Sequence, residues 1–161
     1  MKTFNQVHKI LIAVEDSKYS ERASAYGFEL AKKLGAEIAL LHVNEIQIAP
    51  PYSTDPLITE PPILMPDMII AQEDSSKKLL NKISDSFGDG VTIFTFTKIG
   101  NPKEEILLTA EEWNADIIIL GTHGRTGFDH FLSGSVAEKV IRKAKCPVMV
   151  IPNIDDETDD K

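Results

Sequence analysis

Apolar residues along this chain are grouped into short, nearly continuous runs with longer amphipathic stretches between them. Four runs rich in Val, Ile and Leu occupy residues 10–14, 38–43, 117–120 and 148–151. Continuous apolarity, in place of alternation, is typical of strands that are buried on both faces of a parallel sheet. A fifth run, 91–98, has threonines between its apolar residues, which predicts a strand with one wetter face near a sheet edge.

The stretches between these runs have the spacing of apolar residues that one face of a helix requires. Ser17 or Ser20 is the predicted cap of the first helix and Gly35 its predicted end, while Asn101 followed by Pro102 predicts the start of the third. The predicted inward positions are Ala23, Tyr26, Gly27, Leu30, Ala31 and Leu34 in the first helix, Leu80, Ile83 and Phe87 in a weaker one over 67–87, Ile106, Leu107, Ala110 and Trp113 in the third, and Val136, Val140, Ile141 and Ala144 in the last.

Strands and helices therefore alternate in the order β-α-β-loop-α-β-α-β-α-β. Because parallel strands joined by helices need right-handed crossovers, this order predicts an α/β fold: a three-layer, doubly wound, five-stranded parallel sheet of the Rossmann-like, nucleotide-binding kind, with strand order 3-2-1-4-5. In such sheets ligands bind where the winding reverses, beyond the carboxyl ends of strands 1 and 4. We expect the functional site at that point.

Length and charge narrow the possible functions. The 161 residues suffice for one domain with its own core, which we assign to residues 1–152, followed by an acidic tail at 153–161 that we expect to be disordered. Of the net charge of −8, the tail supplies −4, from five acidic residues and one lysine, and the body supplies the other −4. An acidic body is a poor electrostatic match for nucleic acid or an anionic membrane, so we expect neither as a partner.

Cysteine usage and hydropathy bear on the compartment. The single cysteine, Cys146, excludes an intrachain disulfide and agrees with a reducing compartment. No apolar run approaches the about 18 residues of a membrane span, and the run 10–14, which Glu15 and Asp16 follow, is too short for a secretory signal. We therefore expect a soluble, cytoplasmic protein.

The segment 44–66 contains six of the nine prolines, at positions 50, 51, 56, 61, 62 and 66. Since proline removes amide donors, we predict neither regular helix nor central strand there, but a flexible insertion. Loops of this length are uncommon in a compact domain, and they are either surface insertions or covers for a ligand or partner. Both interpretations stay open from the sequence.

The stretch that follows the fourth strand is the most informative about chemistry. Four of the nine glycines, Gly121, Gly124, Gly127 and Gly134, fall within residues 121–135. Glycine lets backbone amides approach a ligand closely, and successive exposed amides form an anion-binding nest. Gly134 and Ser135 open the last helix, whose N-terminal amides favour an anion and whose serine hydroxyl can donate to a phosphate oxygen. Ordinary turns also use glycine, but the place of this loop at the predicted switch point favours a polyphosphate site.

With this motif the chain resembles the universal stress protein family, and in particular its ATP-binding branch. The spacing Gly121-x2-Gly124-x9-Gly134-Ser135 is similar to the ATP-binding signature of that branch. The stretches 9–14, 40–43, 100–106, 115–127, 134–140 and 146–152 also resemble the family, so that the resemblance covers about residues 8–152. It implies a doubly wound α/β domain, usually a homodimer, that acts in stress tolerance or signalling.

The resemblance also implies which residues hold ATP, often together with a divalent metal, here expected to be Mg²⁺. By position, Ala13 and Val14 line the adenine region, Glu15 helps to hold the nucleoside, and Val43 packs on the base. One departure is that the family commonly has Asp-Gly where this chain has Glu15-Asp16, which lengthens the carboxylate side chain and removes a glycine from the turn. The phosphates are held by the glycine loop and the start of the last helix, here Gly121, Thr122, Gly124, Arg125, Gly134, Ser135 and Val136.

Other candidate residues have weaker cases. Arg125 either pairs with phosphate or points to solvent from the tip of its loop. His42 lies in a predicted buried strand, which favours a packed or hydrogen-bonded core histidine over a ligand, and Cys146 is expected to be structural. No pair of histidines has zinc spacing and no nucleophile has an evident base, so we predict neither a protein-bound metal nor a catalytic residue.

Three functions remain open on these grounds. The leading hypothesis is an ATP-binding regulatory or stress-tolerance module without turnover. The second is an enzyme on the same scaffold, either a slow ATPase or a nucleotide-transferring protein. The third is a dimeric interaction protein with no nucleotide site, as in family members that lack the glycine motif.

The last strand, Val148–Ile151, predicts how the chain associates. In the order 3-2-1-4-5 it is an edge, yet no charged residue lies between Pro147 and Pro152. Pairing such an edge with a two-fold mate satisfies its free amides and buries its apolar side chains. We predict a homodimer through this strand; the alternative is that the tail or a helix covers the edge within one chain.

Overall fold

The computed structural model describes residues 6–45, 66–122 and 134–152. Within these ranges strands and helices alternate in the predicted order: β1 (Lys9–Val14), α1 (Lys18–Leu34), β2 (Glu37–Asn44), α2 (Pro66–Phe87), β3 (Ile93–Ile99), α3 (Pro102–Trp113), β4 (Ile117–Gly121), α4 (Ser135–Lys143) and β5 (Val148–Ile151). Most of the proline-rich segment, residues 123–133 of the glycine loop and the acidic tail lie outside the described residues, so the predictions made for them stay predictions.

The strands form one parallel sheet in the order β3-β2-β1-β4-β5, which confirms the predicted topology. The chain winds outward from β1 through β2 to β3, and then in the other direction through β4 to β5. The winding therefore reverses between β1 and β4, whose residues Ile12 and Ile119 are paired. The carboxyl ends of these two strands lie side by side.

Helices cover both faces of the sheet and create two separate cores. Successive β1 residues alternate between the two, which is why the strand is continuously apolar in sequence. Beneath α1 and α2 the core includes Ile10, Ile12, Val14, Phe28, Leu40, Leu80 and Ile83, and beneath α3 and α4 it includes Leu11, Leu41, Ile106, Ala110, Ile118, Leu120 and Val140.

The predicted inward face of α1 is partly wrong. Tyr26 and Leu34 are 53% and 47% exposed. The buried face is centred on Gly27 instead, where a Cβ would lie only 2.5 Å from Ile12 Cδ1, so the helix approaches the sheet most closely at that position. The buried residues around it are Ser20, Ala23, Ser24, Phe28 and Ala31.

The end of the sheet determines which face of α4 is covered. Val140 is fully buried, as predicted, but Ile141 is 50% exposed, so its predicted inward position is wrong. Ile141 lies near Val150 at the open edge of β5, where the described sheet offers no further strand to cover it.

The helix α3 begins where it was predicted to begin, because the Asn101 side chain accepts a hydrogen bond from the Lys103 backbone N–H at 3.0 Å.

Three predicted boundaries shift. β3 starts at Ile93, two residues later than predicted, and it is an edge strand as expected. Asn44 is the last residue of β2 and Pro66 the first of α2, so the insertion predicted over 44–66 was one residue too wide at each end. A helix accepts Pro66 at its first position because the missing amide would have no partner within the helix there.

A buried hydroxyl anchors the middle of α2 to β2. Ser76 is fully buried, and its Oγ lies 2.8 Å from His42 Nδ1, from Asn44 Nδ2 and from the Gln72 carbonyl oxygen. This agrees with the prediction of a hydrogen-bonded His42. Every α2 residue before Ser76 is exposed or half-buried, so this is the first point at which α2 enters the core. Neither α2 nor any other described helix is long and apolar enough to cross a membrane.

Candidate functional site

Two strand-to-helix turns lie side by side where the winding of the sheet reverses. The first joins β1 to α1 through residues 15–17, and the second joins β4 to α4, with Thr122 and Gly134 as its described ends. Gly121, the last residue of β4, packs against the first turn of α1: a Cβ there would lie 3.1 Å from Tyr19 Cβ. The glycine at this position therefore lets the two turns come together.

Side-chain hydrogen bonds fix the β1–α1 turn. The Glu15 backbone N–H donates to Ser20 Oγ at 2.8 Å, and Ser17 Oγ donates to the Glu15 carboxylate at 3.2 Å. Ser17 Oγ also accepts from the Ser20 backbone N–H at 3.3 Å, so a first-turn amide of α1 is satisfied by its own chain. The result is a half-buried carboxylate held in place at the carboxyl end of β1.

The start of α4 is built without such a cap. Gly134 occupies the capping position, and it has no side chain to accept from the first-turn amides. It packs so closely on Thr122 that a Cβ would collide with the Thr122 carbonyl oxygen. Its φ is −67°, so glycine is needed for this close approach and not for a left-handed backbone. With Ser135 exposed as the first helical residue, the positive end of the α4 dipole favours an anion.

Apolar surface adjoins this helix start. Ala13, Val43 and Val136 are half-buried and pack against the core beneath α3 and α4. Val14 is instead buried beneath α1 and α2, so its side chain lies on the opposite face of the sheet from the other three. The structure thus places Ala13, Val43 and the first turn of α4 on one side of the sheet.

Sequence reasoning assigned Thr122 to the site without anticipating its structural role. Its backbone N–H donates to the Ile151 carbonyl oxygen at 3.1 Å, one residue beyond the end of the β4–β5 ladder. The Thr122 carbonyl oxygen packs against Gly134, so Thr122 links β5 to the start of α4. The sequence predicts Ser20 only as a possible helix cap, whereas in the structure its hydroxyl accepts from the Glu15 backbone N–H. Gly124 and Arg125 lie outside the described residues.

The arrangement offers three chemical features in one place. The Glu15 carboxylate can accept hydrogen bonds from hydroxyl groups, the apolar residues can contact a planar ring, and the uncapped α4 start can bind an anion. A nucleotide combines a ring, sugar hydroxyls and phosphates. In the ranges that the structure describes, no group of three or more His, Cys, Asp and Glu side chains could hold a metal ion.

Comparison with known proteins gives a match along nearly the whole described chain. A family model described as the universal stress protein family matches residues 6–152. Universal stress protein MJ0531 of Methanocaldococcus jannaschii is 33% identical over 150 residues, which cover 91% of this chain and 83% of that protein. Universal stress protein YxiE of Bacillus subtilis is 28% identical over 145 residues, which cover 89% of this chain and 98% of that protein.

Solved structures show the same architecture. The M. jannaschii protein MJ0577 superposes with a TM-score of 0.65 at 28% identity, covering 92% of this chain and 98% of its own. A universal stress protein in complex with cAMP gives a TM-score of 0.69 at 20% identity, covering 91% and 98%. The Archaeoglobus fulgidus universal stress protein in complex with dAMP gives 0.61 at 22% identity, covering 89% and 97%. At their level of identity, the last two establish the fold.

Proposed function

Because the chain belongs to the universal stress protein family, we propose that it binds ATP, with Mg²⁺, and acts as a regulatory or stress-tolerance module in the cytoplasm. The observation that carries this proposal is the contrast at the switch point between a capped α1 and an uncapped α4 that starts at Gly134-Ser135. Two structures with the same fold are complexes with the adenine nucleotides cAMP and dAMP, which supports an adenine nucleotide as the ligand.

The described residues suggest how the nucleotide lies. The adenine contacts Ala13 and Val43, and it bonds to the backbone of Val14, whose side chain is turned into the other core. The Glu15 carboxylate, held by Ser17, accepts from the ribose hydroxyls. This order of contacts runs from the centre of the sheet towards α4.

The phosphates follow at the start of α4. The backbone amides of its first turn and the Ser135 hydroxyl donate to phosphate oxygens, and each favourable contact with the helix dipole contributes about 0.3–1 kcal/mol. In the proposal Gly121 and Gly134 keep Cβ atoms out of two close backbone contacts that set this geometry. Gly124 and Arg125 would supply the remaining phosphate contacts. Mg²⁺ would enter with the nucleotide, neutralising part of the charge that the acidic protein would otherwise repel.

Self-association through β5 is part of the proposal. β5 is an edge strand of four apolar residues, with Met149 38% exposed. The proposed homodimer pairs Val148–Ile151 with its mate about a two-fold axis, which satisfies the edge amides and covers these side chains.

Titration calorimetry with Mg-ATP tests the nucleotide proposal. We expect saturable binding, which at a micromolar dissociation constant corresponds to about −8 kcal/mol. GTP is the matched comparison, because it has the same phosphates and sugar with a different base. Absence of binding heat with millimolar Mg-ATP would contradict the proposal. Equal affinity for GTP would agree with the proposed phosphate site but contradict the assignment of adenine as the base.

A further inference from the structure

An apolar groove lies between α4 and the open edge of β5, next to the candidate site. Ile141, which lines it, is half-exposed although it is one of the larger apolar side chains of α4. The groove has a volume of about 180 Å³ and is lined by Thr122, Ala137, Glu138, Ile141, Arg142 and Val150.

Three properties of this surface fit a second copy of the chain. The Ile118 N–H donates to the Pro147 carbonyl and the Thr122 N–H to the Ile151 carbonyl, so the backbone groups of the intervening alternate residues, including Val150, point away from β4 to the open edge. The groove adjoins that edge, and its lining includes the apolar side chains of Ala137, Ile141 and Val150.

Charge is the third property. Glu138 and Arg142 form an ion pair at 2.9 Å and line the groove with both signs of charge one helical turn apart. A patch with both signs is self-complementary, because a two-fold axis can bring the acid of one copy to the base of the other. A partner of a single net charge would match only half of it.

Thr122 connects this surface with the phosphate end of the proposed site. Its N–H bonds to Ile151 at the end of β5, it lines the groove, and its carbonyl is the atom on which Gly134 packs. The position of the α4 start therefore depends on Thr122, and the position of Thr122 depends on β5. Within residues 6–45, 66–122 and 134–152, the four-residue strand β5 pairs with β4 and with no other strand.

We propose that self-association and nucleotide binding are positively coupled through Thr122. A partner that pairs with the open side of β5 holds Ile151, and through it Thr122 and the Gly134 turn, in the arrangement that receives phosphate. This inference rests on the proposed function. By thermodynamic reciprocity, bound nucleotide strengthens the dimer by the same factor by which the dimer strengthens nucleotide binding.

The experiment measures assembly and affinity in the same uncharged variants. Val150→Pro removes an amide donor from the open edge while the donors to β4 stay, and Ile141→Gln makes the groove polar without adding charge near the phosphates. Leu108→Gln is the matched control, since Leu108 is an equally exposed apolar residue, at 52%, on α3. Sedimentation velocity gives the assembly state, calorimetry gives the Mg-ATP affinity, and circular dichroism verifies the fold.

We expect a wild-type dimer, and monomers for Val150→Pro and Ile141→Gln that bind Mg-ATP at least tenfold more weakly, with both properties unchanged in Leu108→Gln. Saturating Mg-ATP should lower the dimer dissociation constant of the wild type by the same factor. Folded monomeric variants with wild-type affinity would overturn the coupling and leave the proposed function standing. A monomeric wild type, or dimers in both variants, would overturn it as well. A dimeric wild type that binds no nucleotide would overturn the proposed function itself.

Discussion

The two strand-to-helix turns at the switch point begin their helices in opposite ways. At β1–α1, Ser17 holds the Glu15 carboxylate and caps the helix, so that one first-turn amide of α1, that of Ser20, is hydrogen-bonded within the chain. At β4–α4, Gly134 offers no side chain and packs against backbone. The comparison shows that a place at the switch point does not by itself create an anion site. In the proposed binding mode, the residue at the capping position determines which turn receives the phosphates and which receives the sugar.

Of the variants proposed, Gly134→Val should have the largest effect on ATP binding. A Cβ collides with the Thr122 carbonyl oxygen, so we expect loss of detectable ATP binding and a fall in the free energy of unfolding of about 1–3 kcal/mol. Calorimetry and urea unfolding measure the two effects. Gly35→Asn is the control: nothing lies within 4 Å of a Cβ there, and asparagine tolerates its φ of 65°. Wild-type affinity in Gly134→Val would show that phosphates bind elsewhere.

Glu15→Ala should weaken the other half of the site. Without the carboxylate the ribose hydroxyls lose an acceptor, and we expect about tenfold weaker ATP binding, or about 1.4 kcal/mol. Glu15→Asp keeps the carboxylate and should lose less. Asp16→Ala is the matched control, because Asp16 is an exposed carboxylate in the same turn. Equal losses in Glu15→Ala and Asp16→Ala would indicate a general charge effect and no specific contact.

Ser17→Ala should affect stability more than binding. Loss of the cap is expected to reduce the free energy of unfolding by about 1 kcal/mol, and Tm by about 2–4 °C for a chain of this size. ATP affinity should fall by less than in Glu15→Ala, because the carboxylate stays and loses only the Ser17 hydroxyl that holds it in place. Ser86→Ala serves as the control, since its exposed hydroxyl bonds to the Lys82 carbonyl within α2. A Tm equal to that of Ser86→Ala would mean that the cap contributes nothing.

The smallest expected effect is that of salt. Raising the ionic strength screens the attraction between phosphates and the α4 start, so ATP affinity should fall a few-fold. Adenosine uses only the β1–α1 half, and its affinity should stay constant. Calorimetric titrations of both ligands at low and high salt compare the two halves directly. A parallel loss for adenosine would place charge-dependent contacts at the nucleoside as well.

Much of the fold was predictable because its signals are local. Continuous apolar runs indicated strands buried on both sides, and the caps Asn101 and Gly35 marked helix boundaries correctly. The rotation of α1 was not predictable from periodicity, since Tyr26 belongs to the same stripe as Gly27 but only the glycine lets the helix approach Ile12. For Ile141 the missing information was where the sheet ends.

In the described part of the candidate site, Thr122 and Gly134 lie together as the glycine pattern predicts, but the pattern does not give the reason. Gly134 is required by Thr122, which is twelve residues away in sequence and whose own position depends on β5. Such contacts depend on how closely two backbone segments approach each other in the folded chain, and the spacing of residues in the sequence does not predict that. The side chain of Val14 could, however, have been assigned to the opposite core by the simple alternation of strand residues.

Counting protons at the Ser76 hydroxyl fixes the chemical form of His42. The Gln72 carbonyl can only accept, so it takes the single hydroxyl proton, and the Asn44 amide nitrogen can only donate. His42 Nδ1 must therefore be a donor, which makes the neutral ring the Nδ1–H tautomer. The Ser76 hydroxyl thus uses its one proton and both of its acceptor positions, and two of these three hydrogen bonds join α2 to β2.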